Sequence, residues 1–248
     1  MKDFLNVILY QPLEGVTLFL YHLFGDNFGI AIIVLTVLIR LILVPLSLPA
    51  LKSSQKMQEL QGELSRLKAK HKDNKAKLQE EQLKLYREHG INPLGGCLPI
   101  LLQIPILLIL WRVLTGLLAQ DSINSHFLWL NLSQPDPYYI LPALAGISQF
   151  IQSKMMMPAK PKKEDQKALE KTSNPGKKED DLGNSLTQAM QKQNLYFMPI
   201  LWVVMLLRLP SGLGLYMVVS ILFGVVQQFF LNAGRKEQLK TQSSKVKA

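Results

Sequence analysis

The sequence predicts an all-α polytopic membrane protein with five transmembrane helices, a cytoplasmic helical hairpin and an N-terminal interfacial helix. Three observations support this fold class. The chain has 248 residues, 48% of them hydrophobic, and they are gathered into blocks longer than ordinary core helices. The block at 29–51 holds 23 residues, enough for a helix to cross about 30 Å of hydrocarbon. Lys and Arg concentrate in the links that follow alternate blocks, as expected of a chain that crosses a bilayer repeatedly.

The first apolar segment, 4–24, is interrupted by Gln11, Pro12 and Glu14. A spanning helix would hold Glu14 in the middle of the membrane. A signal peptide is poorly supported, because no small-x-small cleavage site follows the segment. We therefore predict an extracytoplasmic amphipathic helix lying in the membrane interface over 1–27, with a cleaved segment and a spanning segment as the alternatives.

The other blocks and links assign the rest of the chain. In chain order, we predict a first transmembrane span at 28–51, a cytoplasmic helical hairpin at 52–92, second and third spans with a short external link at 93–157, a flexible cytoplasmic loop at 158–194, fourth and fifth spans at 195–232 and a basic cytoplasmic tail at 233–248. The loop is rich in Lys, Glu and Asp and poor in apolar residues, which is typical of disorder. Pro210-Ser211-Gly212 predicts a tight turn between the last two spans.

The hairpin is predicted from a heptad-like seam in which leucines predominate. Met57, Leu60, Leu64 and Leu67 recur at spacings of 3, 4 and 3, as in helices that pack along one stripe. The polar residues 71–74 then predict a turn before a second helix, which Gly90 would end.

Positive charge sets the predicted orientation in the membrane. The links 52–90 and 154–194 hold ten and nine Lys or Arg, and the tail 233–248 holds five, which is 24 of the chain's 28. The positive-inside rule places both links and the tail in the cytoplasm and the N-terminus outside. The net charge of +10 therefore reports topology and lipid headgroups rather than DNA. We expect the tail to be a short flexible basic arm that could reach ribosomal RNA.

Arg40 stands at the middle of the first span, where insertion of an arginine costs roughly 2.5–3.5 kcal/mol. Thr36 precedes it by one helical turn and Ser47 follows on the same stripe. A snorkelling arginine is the alternative, but it would lie near a helix end. We therefore predict that Arg40 faces a wet cavity among the helices.

Polar side chains of the other spans fall in the same inner half of the bilayer. They are Gln103 in the second span, Ser148, Gln149 and Gln152 in the third, and Ser220, Gln227 and Gln228 in the fifth, where Gly224 lies on the same stripe as Ser220 and Gln227. A pore would need polar lining over its full depth. Scattered Gln and Ser that join helices are the alternative interpretation. The clustering predicts a hydrophilic groove that is open to the cytoplasm and closed toward the outside.

Sequence signatures of enzymes are missing. There is no HExxH, no P-loop and no Gly-rich dinucleotide turn. The single cysteine excludes a Cys-based zinc site, and the four histidines fall on three segments. We predict no catalytic residues, no cofactor and no metal.

Four stretches together resemble the YidC/Oxa/Alb family of membrane protein insertases. They are LTVLIRLILVPLS, NPLGGCLPILLQIPILLILWRVL, FLWLNLSQPDPYYILPALAGISQFIQ, and FMPILW followed by LPSGLGLY. The resemblance implies a five-helix core in a bacterial inner membrane, with Arg40, Thr36 and Gln103 in its groove. The chain looks like a minimal version, without a large domain before the first span. The family often has an aromatic after the tyrosine of the fifth span, whereas here Tyr216 is followed by Met217, to which we assign no role.

The function predicted is that of an insertase and chaperone, which passes hydrophobic segments of nascent membrane proteins from the cytoplasm into the bilayer. The predicted groove residues are Arg40, Thr36, Gln103, Gln149, Gln152, Ser220 and Gln227. Expected partners are substrates, lipid, the ribosome and the Sec translocon. A secondary transporter of an anionic solute is the alternative, although no related halves are visible. A purely structural assembly partner is a third.

Overall fold

The computed structural model describes residues 10–71, 74–91, 98–120, 122–156 and 195–246. The helices there are α1 (Gln11–Leu23), α2 (Phe28–Glu59), α3 (Gln61–Lys70), α4 (Lys75–Glu88), α5 (Leu98–Leu118), α6 (Ile140–Met155), α7 (Leu195–Leu206) and α8 (Ser211–Val246). Two short antiparallel strands, β1 (His126–Phe127) and β2 (Leu130–Asn131), lie between α5 and α6. The predicted all-α class is thus confirmed. The predicted loop at 158–194 and the start of the interfacial segment, residues 1–9, lie outside the described residues.

Two of the described helices are long and apolar enough to cross a membrane. They are Phe28–Glu59, with a mean hydropathy of 2.7, and Ser211–Gly234, with a mean hydropathy of 1.8. Shorter apolar stretches are found in Gln103–Leu118 and Leu195–Leu206. Large apolar side chains on these helices point away from the protein, such as Ile42 at 74% and Phe230 at 69% exposure. Such exposure of isoleucine and phenylalanine fits a lipid environment.

One compact unit comprises residues 1–45, 100–155 and 196–248. Most of its core comes from apolar side chains of α2, α5 and α8, and the large, almost fully buried ones on these helices include Phe28, Ile32, Leu35, Leu110, Leu114, Leu117, Leu213 and Tyr216. On α2 and α5 these residues recur at spacings of three and four, so each of the two helices presents one face to the core. The opposite face of each helix carries the exposed apolar residues.

The β1–β2 hairpin packs on the start of α2. A side chain at Gly29 would overlap the ring of Phe127, so the absence of a Cβ allows the ring to lie directly on the helix. At the other end of the link, the buried carboxylate of Asp136 accepts hydrogen bonds from the backbone N–H groups of Tyr138 (3.1 Å) and Leu141 (2.7 Å). The bond from Leu141 satisfies a donor in the first turn of α6, and the carboxylate lies at the positive end of the helix dipole.

The turn between α7 and α8 differs from the sequence prediction. Pro210 precedes the helix, but Ser211 and Gly212 already belong to α8, and the turn is made by residues 207–209. Backbone hydrogen bonds run from Ser211 N to Gln134 O (2.7 Å) and from Gly212 N to Leu132 O (3.0 Å). The link between α5 and α6 thus accepts from N–H groups in the first turn of α8, which lack an intrahelical partner.

The tail also differs from expectation, because α8 continues as a helix to Val246. The prediction that the tail at 233–248 is a flexible arm was therefore wrong as far as Val246. Beyond Gly234 the sequence contains neither Gly nor Pro and is rich in Lys and Gln, which favour helix.

A second compact unit comprises residues 46–99 and 156–195. In it Leu60, Leu64, Leu85 and Ile91 form a small buried cluster, against which Met57, Leu67 and Tyr86 pack. Of the predicted seam, Leu60 and Leu64 belong to this cluster, and Met57 and Leu67 pack against it. Burial raises the pKa of Tyr86. Asn74 caps α4 by accepting from Lys77 N at 3.0 Å.

Candidate functional site

Arg40 lies on α2 with its side chain half-buried, and its guanidinium is held by two other helices. The Nε atom donates to the hydroxyl of Ser220 on α8 at 3.0 Å. The Nη2 atom donates to Oε1 of Gln103 on α5 at 2.9 Å. In both bonds the donor is the positively charged guanidinium, which makes them stronger than hydrogen bonds between neutral groups. Arg40 therefore joins α2, α5 and α8 at one point.

The amide of Gln103 makes further contacts with α8. Its Nε2 atom donates to the hydroxyl of Tyr216 at 3.1 Å and contacts the sulfur of Met217 at 3.5 Å. We call these five side chains, Arg40, Gln103, Tyr216, Met217 and Ser220, the Arg40 network.

The Arg40 network is buried on the side formed by α8 and partly exposed on the side formed by Arg40 and Gln103. Tyr216, Met217 and Ser220 on α8 are each only 1% exposed. Arg40 and Gln103 are half-buried, so they remain accessible from one side. A cation fixed in this way can attract an anionic or polar group that approaches from the exposed side. The hydrogen bond to α8 helps to hold the cation in place.

Two members of the network were missed by the sequence interpretation, which began the fifth-span stripe at Ser220. Tyr216 lies one turn earlier on that stripe, since the spacing 216, 220, 224, 227 continues it. Extending the stripe by one turn would have found it. The sequence interpretation noted Met217 only as a departure from the family pattern and assigned it no role, and methionine in a buried helix is ordinarily a packing residue.

The remaining predicted groove residues lie outside the network. Thr36 is completely buried, and its hydroxyl donates to the carbonyl of Ile32 at 2.6 Å. Threonine in a helix often donates its hydroxyl to a carbonyl of the preceding turn in this way. The hydroxyl then points away from the predicted groove. Gln149 donates to Ser153 on its own helix at 3.5 Å, and Gln227 is half-buried. The roles of these side chains in a groove stay predictions.

Gln152 lies at the contact between α6 and α8. A Cβ added to Gly224 would collide with the Gln152 amide nitrogen, so the missing side chain at Gly224 lets the glutamine lie against α8. One turn further along α8, Gln228 is 2% exposed, and its Nε2 donates to Asn232 Oδ1 at 3.1 Å. Its Oε1 has no hydrogen-bond partner within the described part of the chain. A second polar region therefore follows the Arg40 network along α8.

The chemistry available at this site is charge and hydrogen bonding. Within the ranges that the structure describes, no three His, Cys, Asp or Glu side chains come together in a way that could hold a metal ion. The Arg40 network contains no carboxylate and no histidine. Its members can bind, orient and hydrate a polar group, and α5 and α8 carry exposed apolar side chains nearby.

Comparisons with known proteins match nearly the whole chain. A family model described as "60Kd inner membrane protein" matches residues 19–238. The "Membrane protein insertase YidC" of Fusobacterium nucleatum is 42% identical over 206 residues, which cover 83% of this chain and 86% of the relative. The "Membrane protein insertase MisCA" of Bacillus subtilis is 38% identical over 225 residues, which cover 89% of this chain and 76% of the relative.

A solved structure is similar as well. It is described as "Active YidC insertase crystal structure with the first transmembrane domain resolved" and matches with a TM-score of 0.65 at 26% sequence identity. The match covers 91% of this chain and 46% of the solved chain, so the present chain spans about half the length of that structure.

Proposed function

This chain belongs to the 60Kd inner membrane protein family, the YidC/Oxa/Alb membrane protein insertases, and we infer that it inserts hydrophobic segments of substrate proteins into the lipid bilayer. The family resemblance drawn from four sequence motifs is thereby confirmed. The alternative of a secondary transporter has no support. We propose that this insertion step uses no nucleotide and no cofactor.

The observation that carries the mechanism is a half-buried arginine held by Gln103 and Ser220 among apolar helices. A substrate's polar tail must cross about 30 Å of hydrocarbon, where each unsatisfied polar group costs several kcal/mol. A hydrated groove that reaches Arg40 shortens the distance that the tail must cross in hydrocarbon. Arg40 pairs transiently with acidic groups in the tail, and the apolar segment leaves sideways into lipid.

The membrane potential supplies a driving force for the same step. Moving an acidic group outward gains about 2.3 kcal/mol per charge per 100 mV. Arg40 must therefore bind the tail only weakly, since a tight complex would hold the tail in the groove. Arg40 is the one cation among the members of the network. A single cation fits transient pairing with the acidic groups of the tail.

We place α2, α5, α6, α7 and α8 in the membrane as five spans, with α3 and α4 as a cytoplasmic hairpin and α1 in the outer interface. The relatives compared are bacterial, which supports a bacterial plasma membrane location. The concentration of 24 of the 28 Lys and Arg residues in two links and the tail supports an N-terminus outside and a C-terminus in the cytoplasm.

Reconstitution of the purified protein in liposomes tests the function directly. We expect a short single-span substrate to become protease-protected in these liposomes, at a higher level than in empty liposomes. A structural assembly partner alone would give no increase over the empty liposomes. Since neither ribosome nor translocon is present, the result also shows whether the Sec translocon, a further proposed partner, is obligatory.

The tail is proposed to contact the ribosome through its five basic residues, Arg235, Lys236, Lys240, Lys245 and Lys247. Because phosphate contacts release counterions, binding should fall steeply with salt. We expect the intact protein in detergent to co-sediment with ribosomes at low salt. Protein with all five residues changed to Gln, which keeps the tail length and helix propensity, should not. Equal sedimentation of both proteins over a salt series would contradict a ribosome contact through these residues. The positive charge of the tail would then serve only to set the orientation in the membrane.

A further inference from the structure

We propose that Tyr216 and Met217 are positioning residues, which hold the Gln103 amide in place with its oxygen toward Arg40. Through this oriented amide they hold the Arg40 guanidinium with one edge against the helices and the other toward the groove. The proposal rests on the insertase function and extends it to the residues that set the geometry in which Arg40 meets a carboxylate of the substrate's tail.

The orientation of the amide follows from what surrounds it. Its Nε2 carries two N–H groups, and the structure gives it two acceptors, the Tyr216 oxygen and the Met217 sulfur. Its Oε1 faces the Nη2 of Arg40, which can only donate. An amide turned by half a rotation would place N–H against N–H at Arg40 and oxygen against sulfur at Met217. Arg40 and the Met217 sulfur therefore select this orientation, and the Tyr216 hydroxyl, which can accept or donate, holds the amide in place.

The bonds to Arg40 use one edge of its planar guanidinium. Nε and the N–H of Nη2 that lies beside it point the same way, toward Ser220 and Gln103. The other edge consists of Nη1 and the second N–H of Nη2, two parallel donors whose spacing matches a carboxylate. Among the residues that the structure describes, Ser220 and Gln103 are the acceptors that Arg40 meets. The end-on edge therefore remains for a substrate.

Burial makes the Tyr216 hydroxyl hard to replace. Tyr216 is 1% exposed and belongs to the core, so little water can take the place of its oxygen. Phenylalanine at this position would keep the packing of the ring, but the Gln103 N–H would lose its stronger acceptor, and the amide would gain freedom to turn. Met217 supplies only a weak acceptor, because thioether sulfur bonds poorly. Tyr216 is thus the principal positioning residue and Met217 the secondary one.

The test compares two substrates in proteoliposomes that differ only in whether their tail carries Asp or Asn. Tyr216→Phe should lower the ratio of acidic-tail to neutral-tail insertion by about fivefold, the value expected for loss of one hydrogen bond. Met217→Leu, which removes the sulfur at similar volume, should lower the same ratio by a smaller factor. In a Gln103→Leu background, Tyr216→Phe should cause no further decrease, because it acts through the amide.

Tyr21→Phe is the matched control. Tyr21 is also buried, at 3% exposure, and its hydroxyl accepts a hydrogen bond from Asn124 N at 3.0 Å, away from the Arg40 network. Its removal should leave the ratio unchanged even if it lowers stability. An equal loss of both substrates in Tyr216→Phe would show a merely structural role, and an undiminished loss in the Gln103→Leu background would show a path that bypasses the amide. Either result overturns the proposal.

Both outcomes can be told apart from failure of the insertase function, because in that case the unmodified protein would insert neither substrate. If Tyr216→Phe does not fold, Met217→Leu and its combination with Gln103→Leu provide the same comparison. An unchanged ratio in folded Met217→Leu would then count against the proposal.

Discussion

Arg40→Ala should lower the insertion of a substrate with an acidic tail by about ten- to a hundredfold relative to one with a neutral tail. The range corresponds to the loss of a charged hydrogen-bond donor at roughly 1.5–3 kcal/mol. Removal of Arg40 also leaves Gln103 Oε1 without its charged partner, in a region of low dielectric constant. The measurement is protease protection of the paired Asp and Asn substrates in proteoliposomes, followed over time.

Arg40→Lys should lie between the wild type and Arg40→Ala. Lysine keeps the charge that attracts the tail, but it has no planar edge with which to meet Ser220 and Gln103 together. Arg112→Ala is the matched control, because Arg112 is an exposed arginine on the apolar helix α5 whose guanidinium lies 6.0 Å from the ring centroid of Tyr10, outside the Arg40 network. Equal effects of Arg40→Ala on both substrates would exclude an electrostatic role for Arg40.

Single cysteines that replace Gln103, Gln149 and Gln227 should be labelled by membrane-impermeant thiol reagents from the cytoplasmic side and not from the outer side. All three glutamine side chains are half-buried in the chain, and all fall in the inner half of their proposed spans. Water that fills the groove would carry the reagent to them, while the apolar outer half would exclude it. The measurement uses inside-out and right-side-out vesicles of a Cys97→Ser protein, which lacks the chain's one native cysteine.

Two neighbouring positions provide the controls for this labelling. Ile147 on α6 is 59% exposed and Val226 on α8 is 53% exposed, so each points away from the protein within two residues of a tested glutamine. Cysteines there would face lipid and should react from neither side. Reaction of the Gln103→Cys or Gln227→Cys variant from the outer side would indicate a channel or an alternating-access carrier and would contradict a groove closed toward the outside.

The interpretation of the fold from sequence succeeded where the signal is local. Blocks of apolar residues predicted helices in the right places, and the seam Met57, Leu60, Leu64 and Leu67 predicted the side chains that pack together in the second compact unit. Local signals were less accurate at helix ends. Ser211 and Gly212 look like turn residues after a proline, yet they begin α8, because carbonyls of the distant link at 132–134 accept their N–H groups.

The candidate site divides in the same way between local and long-range information. Arg40 could be found from the sequence, since a charge in the middle of an apolar block is costly and needs a reason. Thr36 shared its stripe, but a stripe gives only the direction of the Cα–Cβ bond. Whether its hydroxyl faces the groove or bonds to Ile32 O depends on the rotamer, and the structure has the second arrangement.

The sequence alone determined the helical class and the family, and it located one cation in the middle of an apolar block, with polar side chains in other blocks. Each of these depends on composition, periodicity or motifs within a few turns of helix. Only the tertiary structure decided which polar groups meet, because Gln103 and Ser220 lie 63 and 180 residues from Arg40 along the chain. It also brought Tyr216 and Met217 to the Gln103 amide, since the rotation of α5 and α8 about their axes is set by packing of the buried faces around them.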